Sequence, residues 1–531
     1  MIIRYSQKTS MTLKIILPLF LLLFSGACQK AGKGKREQIL RLNIHSEPPT
    51  LDSRKATDSV SIFVIKQCQE GLMQRGEEGA PLPGIAESVE VSEDGLIYTF
   101  YLRKAVWSND KPLTAYDFER SWKTLLDPAF PSENAFELYL LKNGRAAREE
   151  GAPMESVGVR ALDAGTLRVE LEHRAPYFLS LITIHPFFPI ADPVDPFVSS
   201  GAFVLEAWRH GDQIILKKNK RYWAQEEVKL LGVRLYIIDN DQTELQLFEK
   251  GELDWAGHPF SNLPADALPE ISQKETIHSL PLAATYQYAF NTQVFPLHNL
   301  NFRRALSLAI NRKAIVENIT QSGQIPTTSL IPPLLWGEKG RAPLKESLEE
   351  AKECFQRALT ELQLTVDQLP PVTISYNTMS GHHKIAQAIQ QQWARAFGLK
   401  VRLENKEWKV FLDDCLRGNF QIAKSAISAT IDDPISFLDL YHYPNSSRNH
   451  SRWNNPKFRR LIDAAEQRKD PKERLCLLKK AEGVLLEEHP IAPIFTYRGS
   501  YLKSKHVKNV TLSSLGDIDI KRAYIDEELS D

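Results

Sequence analysis

The sequence predicts a large mixed α/β protein, and three observations carry that reading. Strand-type and helix-type hydrophobic patterns alternate along the whole chain after its N-terminal segment. No period of 20–50 residues repeats, so a solenoid or propeller is excluded. The chain has 531 residues, 43% hydrophobic and 25% charged, a globular composition with room for several domains.

The strand signals come first. Asp94-Gly95 is a turn dipeptide, and the β-branched and aromatic run at 96–102 follows it. At 166–171, Leu167, Val169 and Leu171 face one way while Arg168 and Glu170 face the other, the pattern of a strand with one buried face. Residues 233–238, 372–376 and 400–404 read as further strands. Helices follow from apolar stripes. Phe302, Ala305, Leu306, Ala309 and Ile310 recur on one helical face. Ser347 with Glu350 has the capping-box spacing ahead of Leu348, Ala351, Phe355, Leu359 and Leu362. Asn455-Pro456 and Asp470-Pro471 each put a capping side chain before a proline suited to the first turn. The stripes they introduce, Phe458, Leu461, Ile462, Ala465 and then Leu475, Leu478, Leu485, are core.

Charge and cysteine content narrow the class. With 66 basic and 66 acidic residues, the chain lacks the cationic excess that nucleic-acid binding needs. Five cysteines are too few for a disulfide framework. Cys68, Cys354, Cys415 and Cys476 read either as pairs or as buried free thiols, and spacing alone does not choose between these.

Residues 1–27 carry Arg4, Lys8 and Lys14, no acid, and an apolar run from Ile15 to Phe24. That run is too short for the roughly 20 residues a membrane-spanning helix needs. A basic start, a short apolar stretch and small residues after it are the pattern of an export signal. Met11 onward also forms a complete signal. Ser25-Gly26-Ala27 precedes Cys28, an arrangement similar to a bacterial lipobox, although Ser25 stands where the usual pattern has leucine. The expectation is a lipidated Cys28, a basic tether over 28–38, and an exported body held at the outer face of the cell membrane.

Enzyme motifs are missing. There is no H-E-x-x-H, G-x-S-x-G or phosphate-loop pattern. Ser500 and Lys503 fit S-x-x-K without its companion motifs. His382-His383 and His442 are thin hints of metal, because adjacent histidines on a helix diverge by about 100°. The reading is a non-enzyme without a cofactor; a hydrolase or an adhesin is the remote alternative.

An ordered series of segments then points to a family. It begins with Glu47-Pro48-Pro49-Thr50-Leu51-Asp52, Glu70-Gly71-Leu72 and Pro83-Gly84-Ile85-Ala86-Glu87-Ser88. It continues through Thr114-Ala115-Tyr116-Asp117-Phe118, Asn219-Lys220-Arg221-Tyr222-Trp223 and Gly251-Glu252-Leu253-Asp254. Phe290-Asn291-Thr292 then precedes the run from Arg303 to Arg312. This series resembles the extracytoplasmic solute-binding proteins of peptide ABC transporters, the oligopeptide-binding members of family 5. The resemblance implies a periplasmic-binding-protein-like fold of two mixed α/β lobes joined by two chain crossings. One lobe would comprise 39–80, 185–287 and 490–531, an inserted extra domain 81–184, and the second lobe 288–489. The crossings would fall near Tyr288 and Pro493. It also implies a monomer that closes on a short peptide and delivers it to permease and ATPase subunits.

Site residues follow from the same resemblance. Thr57 and Ser59 lie on an early loop that touches ligand in relatives. Tyr286 and Tyr288 sit at the first crossing, and Tyr497 at the cleft. Trp408 and Leu412 would line side-chain pockets. Lys424 stands where oligopeptide binders place an arginine that meets the peptide carboxylate; lysine keeps the charge and loses the fork geometry. One departure stands out. The family's amine-pairing aspartate is Thr430 here, preceded by Ala426-Ile427-Ser428 in place of the usual tryptophan and glycine. Asp432 or Asp433 would have to take over the role, with Ile427 nearby. Otherwise the cargo is a weakly anchored peptide, a murein peptide, or a nickel or metal chelate.

Overall fold

A computed structural model describes residues 37–76, 79–195, 197–264, 266–337, 346–443 and 448–526. The export signal and Cys28 lie outside them. Three sheets organise the chain. It enters along β1 (Ile39–Asn43) and then builds an antiparallel sheet from β2 (Ala86–Val91), β3 (Ile97–Leu102), β4 (Val159–Asp163) and β5 (Thr166–Glu170), in the order β2-β3-β5-β4. It returns through β6 (Phe203–Arg209), β7 (Gln213–Lys218) and β8 (Gly232–Tyr236), giving a second sheet ordered β1-β8-β7-β6 with β1 parallel to β8.

The third sheet has seven strands and holds the chain together. It uses β9 (Trp255–Gly257), β10 (His278–Phe290), β11 (Ile325–Pro326), β12 (Val372–Asn377), β13 (Val401–Lys406), β14 (Ile422–Ser428) and β15 (Ile491–Lys503). Their order is β9-β15-β10-β14-β12-β13, with β11 on β15. β10 and β15 have 13 residues each and pair antiparallel. Their register shifts between Pro281 and Thr285, and again between Tyr286 and Gln287, where Pro493 faces Gln287. A proline has no ladder donor, so a bulge is the place a long strand can hold one.

Helices cover these sheets. They are α1 (Ser59–Cys68), α2 (Ala115–Leu126), α3 (Asp241–Glu249), α4 (Leu300–Leu308), α5 (Leu348–Leu362), α6 (Ser380–Phe397), α7 (Trp408–Arg417), α8 (Pro456–Glu466) and α9 (Pro471–Glu487). The capping signals are present: the Ser347 side chain accepts from Glu350 N, Asn455 from Lys457 N and Phe458 N, and Asp470 from Lys472 N. Each satisfies backbone donors that the first helical turn leaves without partners. α4, α5 and α6 pack with β10 and β12 around Phe302, Phe355, Trp393 and Tyr376. A second core joins Phe100, Phe118 and Trp122 to Phe437, Phe458 and Leu485, so the 81–184 segment shares its interior with α8 and α9. A third surrounds β1, β6, β7 and β8.

The mixed α/β fold is therefore as the sequence predicts. Among the described residues no helix is long and apolar enough to cross a membrane. Cys68, Cys354, Cys415 and Cys476 are all free thiols; the first three are buried, but Cys476 on α9 is exposed, which corrects the expectation of burial there.

Arg312 secures the start of β15. Its buried guanidinium donates from Nε to the Pro493 carbonyl at 2.6 Å and from Nη1 to the Ile310 carbonyl at 3.1 Å. Arg312→Met removes those donors and leaves both carbonyls buried, at about 1–3 kcal/mol for each lost partner. We expect the urea midpoint to fall accordingly with an unchanged m-value.

Candidate functional site

Lys424 is a cation set among aromatic side chains. It lies in the middle of β14, opposite Tyr288 of β10 in the antiparallel register. Its ammonium sits over the Tyr286 ring, 5.6 Å from the centroid. Among the described residues no carboxylate pairs with it. Burial pulls this ammonium down to about 8, against a weak opposing pull from Cys415. A partly desolvated cation without a counter-ion is unfavourable, and an anion arriving at it gains accordingly.

Aromatic and imidazole groups form the walls. Tyr286 and Tyr288 are both 1% exposed and meet edge to face at 5.9 Å. Tyr286 stacks on Phe495 at 4.8 Å and lies 6.3 Å from Tyr497, which is half-buried on β15. Burial raises all three phenols, so they stay protonated near neutral pH and can donate hydrogen bonds. The Tyr288 hydroxyl is buried without a hydrogen-bond partner among the described residues. His382, in the first turn of α6, reaches the same cluster, with Nδ1 3.3 Å from the Tyr286 hydroxyl. Burial, and then the Lys424 charge, lower His382 to about 4.

His382 is the residue that the sequence flagged only as a thin hint of metal and did not join to the tyrosines. The His382-His383 pair does start a helix, but the two rings diverge. His382 is buried beside Tyr286, whereas His383 Nδ1 lies 2.6 Å from the Tyr376 hydroxyl. The helical angle between neighbours accounts for this. His442 lies apart, with Nε2 2.7 Å from Asp463 Oδ1 and Nδ1 3.6 Å from Asp439 Oδ1.

The segment after β14 is tied down by its main chain. Ala429 N donates to the Ala283 carbonyl at 2.8 Å, and Ala283 N to the Ser514 carbonyl at 2.7 Å. Arg75 donates from Nη2 to the Thr430 carbonyl at 2.9 Å and ion-pairs with Asp517, which also holds Lys66 at 2.7 Å. The Thr430 side chain itself is exposed. Its neighbours differ sharply. Asp433 is bound by both guanidinium nitrogens of Arg474, at 2.6 and 3.0 Å, and this fork–fork pair leaves it no free charge for a ligand. Asp433 therefore belongs to the scaffold, which corrects its place among the candidate anchors. Asp432 accepts from Ser514 Oγ at 3.3 Å; desolvation pushes its carboxyl up, opposed first by Arg75. It also crowds Gly79, where φ is +82° and a Cβ would stand 1.8 Å from Asp432 Oδ2. Only glycine fits that approach.

The remaining candidates are dispersed. Trp408, at the start of α7, is 52% exposed, with its ring 6.2 Å from Phe411. Leu412 and Ile427 are half-buried. Thr57 and Ser59 are exposed on either side of Asp58, which caps α1 by accepting from Ser61 N. The structure thus brings Lys424, Tyr286, Tyr288, Tyr497 and His382 together.

Comparison with known proteins places the chain. The sequence profile of bacterial extracellular solute-binding proteins, family 5 Middle, matches residues 80–449. The chain belongs to that family. It is 38% identical to the oligopeptide-binding protein OppA of Bacillus subtilis, over 94% of each chain. The solved periplasmic oligopeptide-binding protein of Borrelia burgdorferi superposes with a TM-score of 0.80 at 28% identity, covering 92% of this chain and 99% of that one. The murein tripeptide-binding protein MppA of Escherichia coli gives 0.80 at 29% identity with the same coverage. The two-lobed fold expected of such proteins is the fold observed here, and relatives of this family are binding proteins by name.

The Asp433–Arg474 pair gives a direct test of the scaffold assignment. Removing one partner of a buried pair costs about 3–5 kcal/mol. Asp433→Asn should lower the thermal midpoint clearly, while Asp432→Asn, which deletes a carboxylate already disfavoured by desolvation, should leave it nearly unchanged in differential scanning calorimetry.

Proposed function

We propose that the chain is the extracytoplasmic solute-binding subunit of a peptide importer, capturing a short peptide between its lobes and passing it to permease and ATPase subunits. The observation that carries this is the half-buried, uncompensated Lys424 among Tyr286, Tyr288, Tyr497 and His382. A peptide offers a carboxylate to such a cation, and its main chain can extend the exposed edges of the cleft. In this reading 39–80, 185–287 and 490–531 form one lobe, 288–489 the other, and 81–184 an accessory domain. β10 and β15 are the crossings about which the lobes close. Thr57, Ser59, Trp408, Leu412 and Ile427 border pockets for side chains, where water accommodates variety. Export by residues 1–27 and a lipid on Cys28 would hold the body at the membrane.

The amine end is the weak end. Thr430 offers a hydroxyl where a carboxylate would contribute more, since hydrogen bonds to charged groups give about 1.5–3 kcal/mol and neutral ones about 0.5–1.5. Asp433 is committed to Arg474, which leaves Asp432 as the sole acid of the three positions for an α-amine. This polarity favours ligands rich in carboxylate over ligands defined by their amine, and murein peptides are the second reading on that ground.

Isothermal titration with a tripeptide, its C-terminal amide and its N-acetyl form separates the two ends. Amidation should weaken binding about ten- to hundredfold, matching the loss of one charge-assisted bond. Acetylation should cost less than about threefold. Lys424→Met should abolish the preference of acid over amide. The pH dependence follows from the same group. Free Lys424 loses its proton near 8, and the complex requires it protonated, so affinity for the acid should decline above pH 8 by up to about tenfold per unit while the amide stays flat. A strong acetylation effect with no amidation effect would contradict the assignment.

A further inference from the structure

We propose that His45, Asp241 and Glu244 form a binding site for one divalent transition-metal ion of the zinc type. The three come from separate parts of the chain. His45 follows β1 by two residues, while Asp241 and Glu244 stand at i and i+3 at the start of α3, where such a spacing shares a face. One donor atom from each lies within 4.8 Å of the other two.

Two features separate this cluster from ordinary surface charge. His45 Nδ1 and Asp241 Oδ1 are both buried atoms without a hydrogen-bond partner among the described residues. They face each other at 3.8 Å, too far for a hydrogen bond. The third donor is held firmly from behind: Glu244 Oε1 accepts from Gly257 N at 2.9 Å and Oε2 from Asn43 Nδ2 at 2.8 Å. Each oxygen accepts one bond in that set and keeps a lone pair for another. Asn43 does more. Its Oδ1 accepts from His45 N at 3.1 Å and from Ile238 N at 3.0 Å, so a single side chain orients the Glu244 carboxylate and the His45 backbone together. Outer partners of this kind are what keep metal ligands in place.

Chemistry selects the ion. One imidazole and two carboxylates suit zinc and its neighbours, whereas calcium and magnesium prefer oxygen alone. Metal–donor distances near 2.1 Å place tetrahedral ligands about 3.4 Å apart. The observed separations are somewhat wider, and His45 and Asp241, each about a third exposed, can swing inward by side-chain rotation onto the fixed Glu244. Water would complete the fourth position. The ion would clamp the end of β1 to the start of α3, and its donors are none of the residues gathered around Lys424.

Zinc titration of the untagged, metal-stripped chain in competition with a chromophoric chelator tests this, with His45→Gly and Asp241→Asn beside the natural sequence. His45 has φ +62°, a conformation glycine adopts freely, so His45→Gly removes the ligand without straining the fold. The expected result is one zinc equivalent whose affinity falls at least tenfold in both variants. Zinc should also raise the thermal midpoint of the natural chain by more than that of either variant, and calcium should raise neither. Circular dichroism confirms that the variants are folded. Equal zinc binding by all three chains would place the metal elsewhere, and no zinc binding by the natural chain would leave a His45–Asp241 ion pair only; either result overturns the proposal.

Discussion

The antiparallel pairing of β10 with β15 is the constraint on which the rest depends. Both strands have 13 residues, both lie inside the seven-stranded sheet, and each continues past the stretch where the register shifts. Loss of this pairing would split the sheet, leaving β9 and β11 on β15 and separating them from β10, β14, β12 and β13. It also sets the geometry of the Lys424 cluster, because Tyr286 and Tyr288 stand on β10, Phe495 and Tyr497 on β15, and Lys424 on the adjoining β14. Side chains two residues apart on a strand share a face, which is why the 286/288 and 495/497 pairs converge. Arg312 fixes the β15 carbonyl at the bulge from the α-helical side. A site built on the central strands of a sheet is more precise than one built on loops.

Electrostatics divides that region into two unlike ends. Around Lys424 there is a cation, three protonated phenols and a neutral imidazole, and no acid among the described residues compensates the charge. Around Thr430 two acids already have partners within the protein: Lys66 and Arg75 share Asp517, and Arg474 takes Asp433. The first end, on the reading proposed above, takes its anion from outside. The second is nearly self-sufficient. A ligand held by one strong end and one weak end is selected by its carboxylate, with the length and chemistry of the rest governed by the room available.

Much of this was legible from residues alone. The caps at Ser347, Asn455 and Asp470 work through short-range hydrogen bonds, which spacing reveals directly; the 96–102 strand follows from its β-type run after a turn and the 166–171 strand from alternation. Lys424 was legible because a family pattern fixed its position. Burial of long-range partners was not. Asp433 reads like Asp432 in sequence, and only the approach of Arg474, 41 residues away, commits it to the scaffold. His382 was hidden by its neighbour, since the burial of one ring in a pair depends on how α6 is rotated against β10. Cys476 lies on the solvent side of α9 although it sits between core leucines, a rotation that composition does not convey. His45 and Asp241, almost 200 residues apart, meet only because β1 and α3 adjoin in the fold.

In the proposed function the Lys424 cluster receives the carboxylate of a short peptide while Thr430 leaves the amine poorly held. Mass spectrometry of the small molecules released on denaturing natively purified protein tests it most directly, comparing the natural chain with Lys424→Met. We expect short peptides with free C-termini from the natural chain, or a murein peptide carrying such carboxylates, and little of either from the variant. Identical ligand recovery from both chains, or a released ligand that carries no carboxylate, would contradict it.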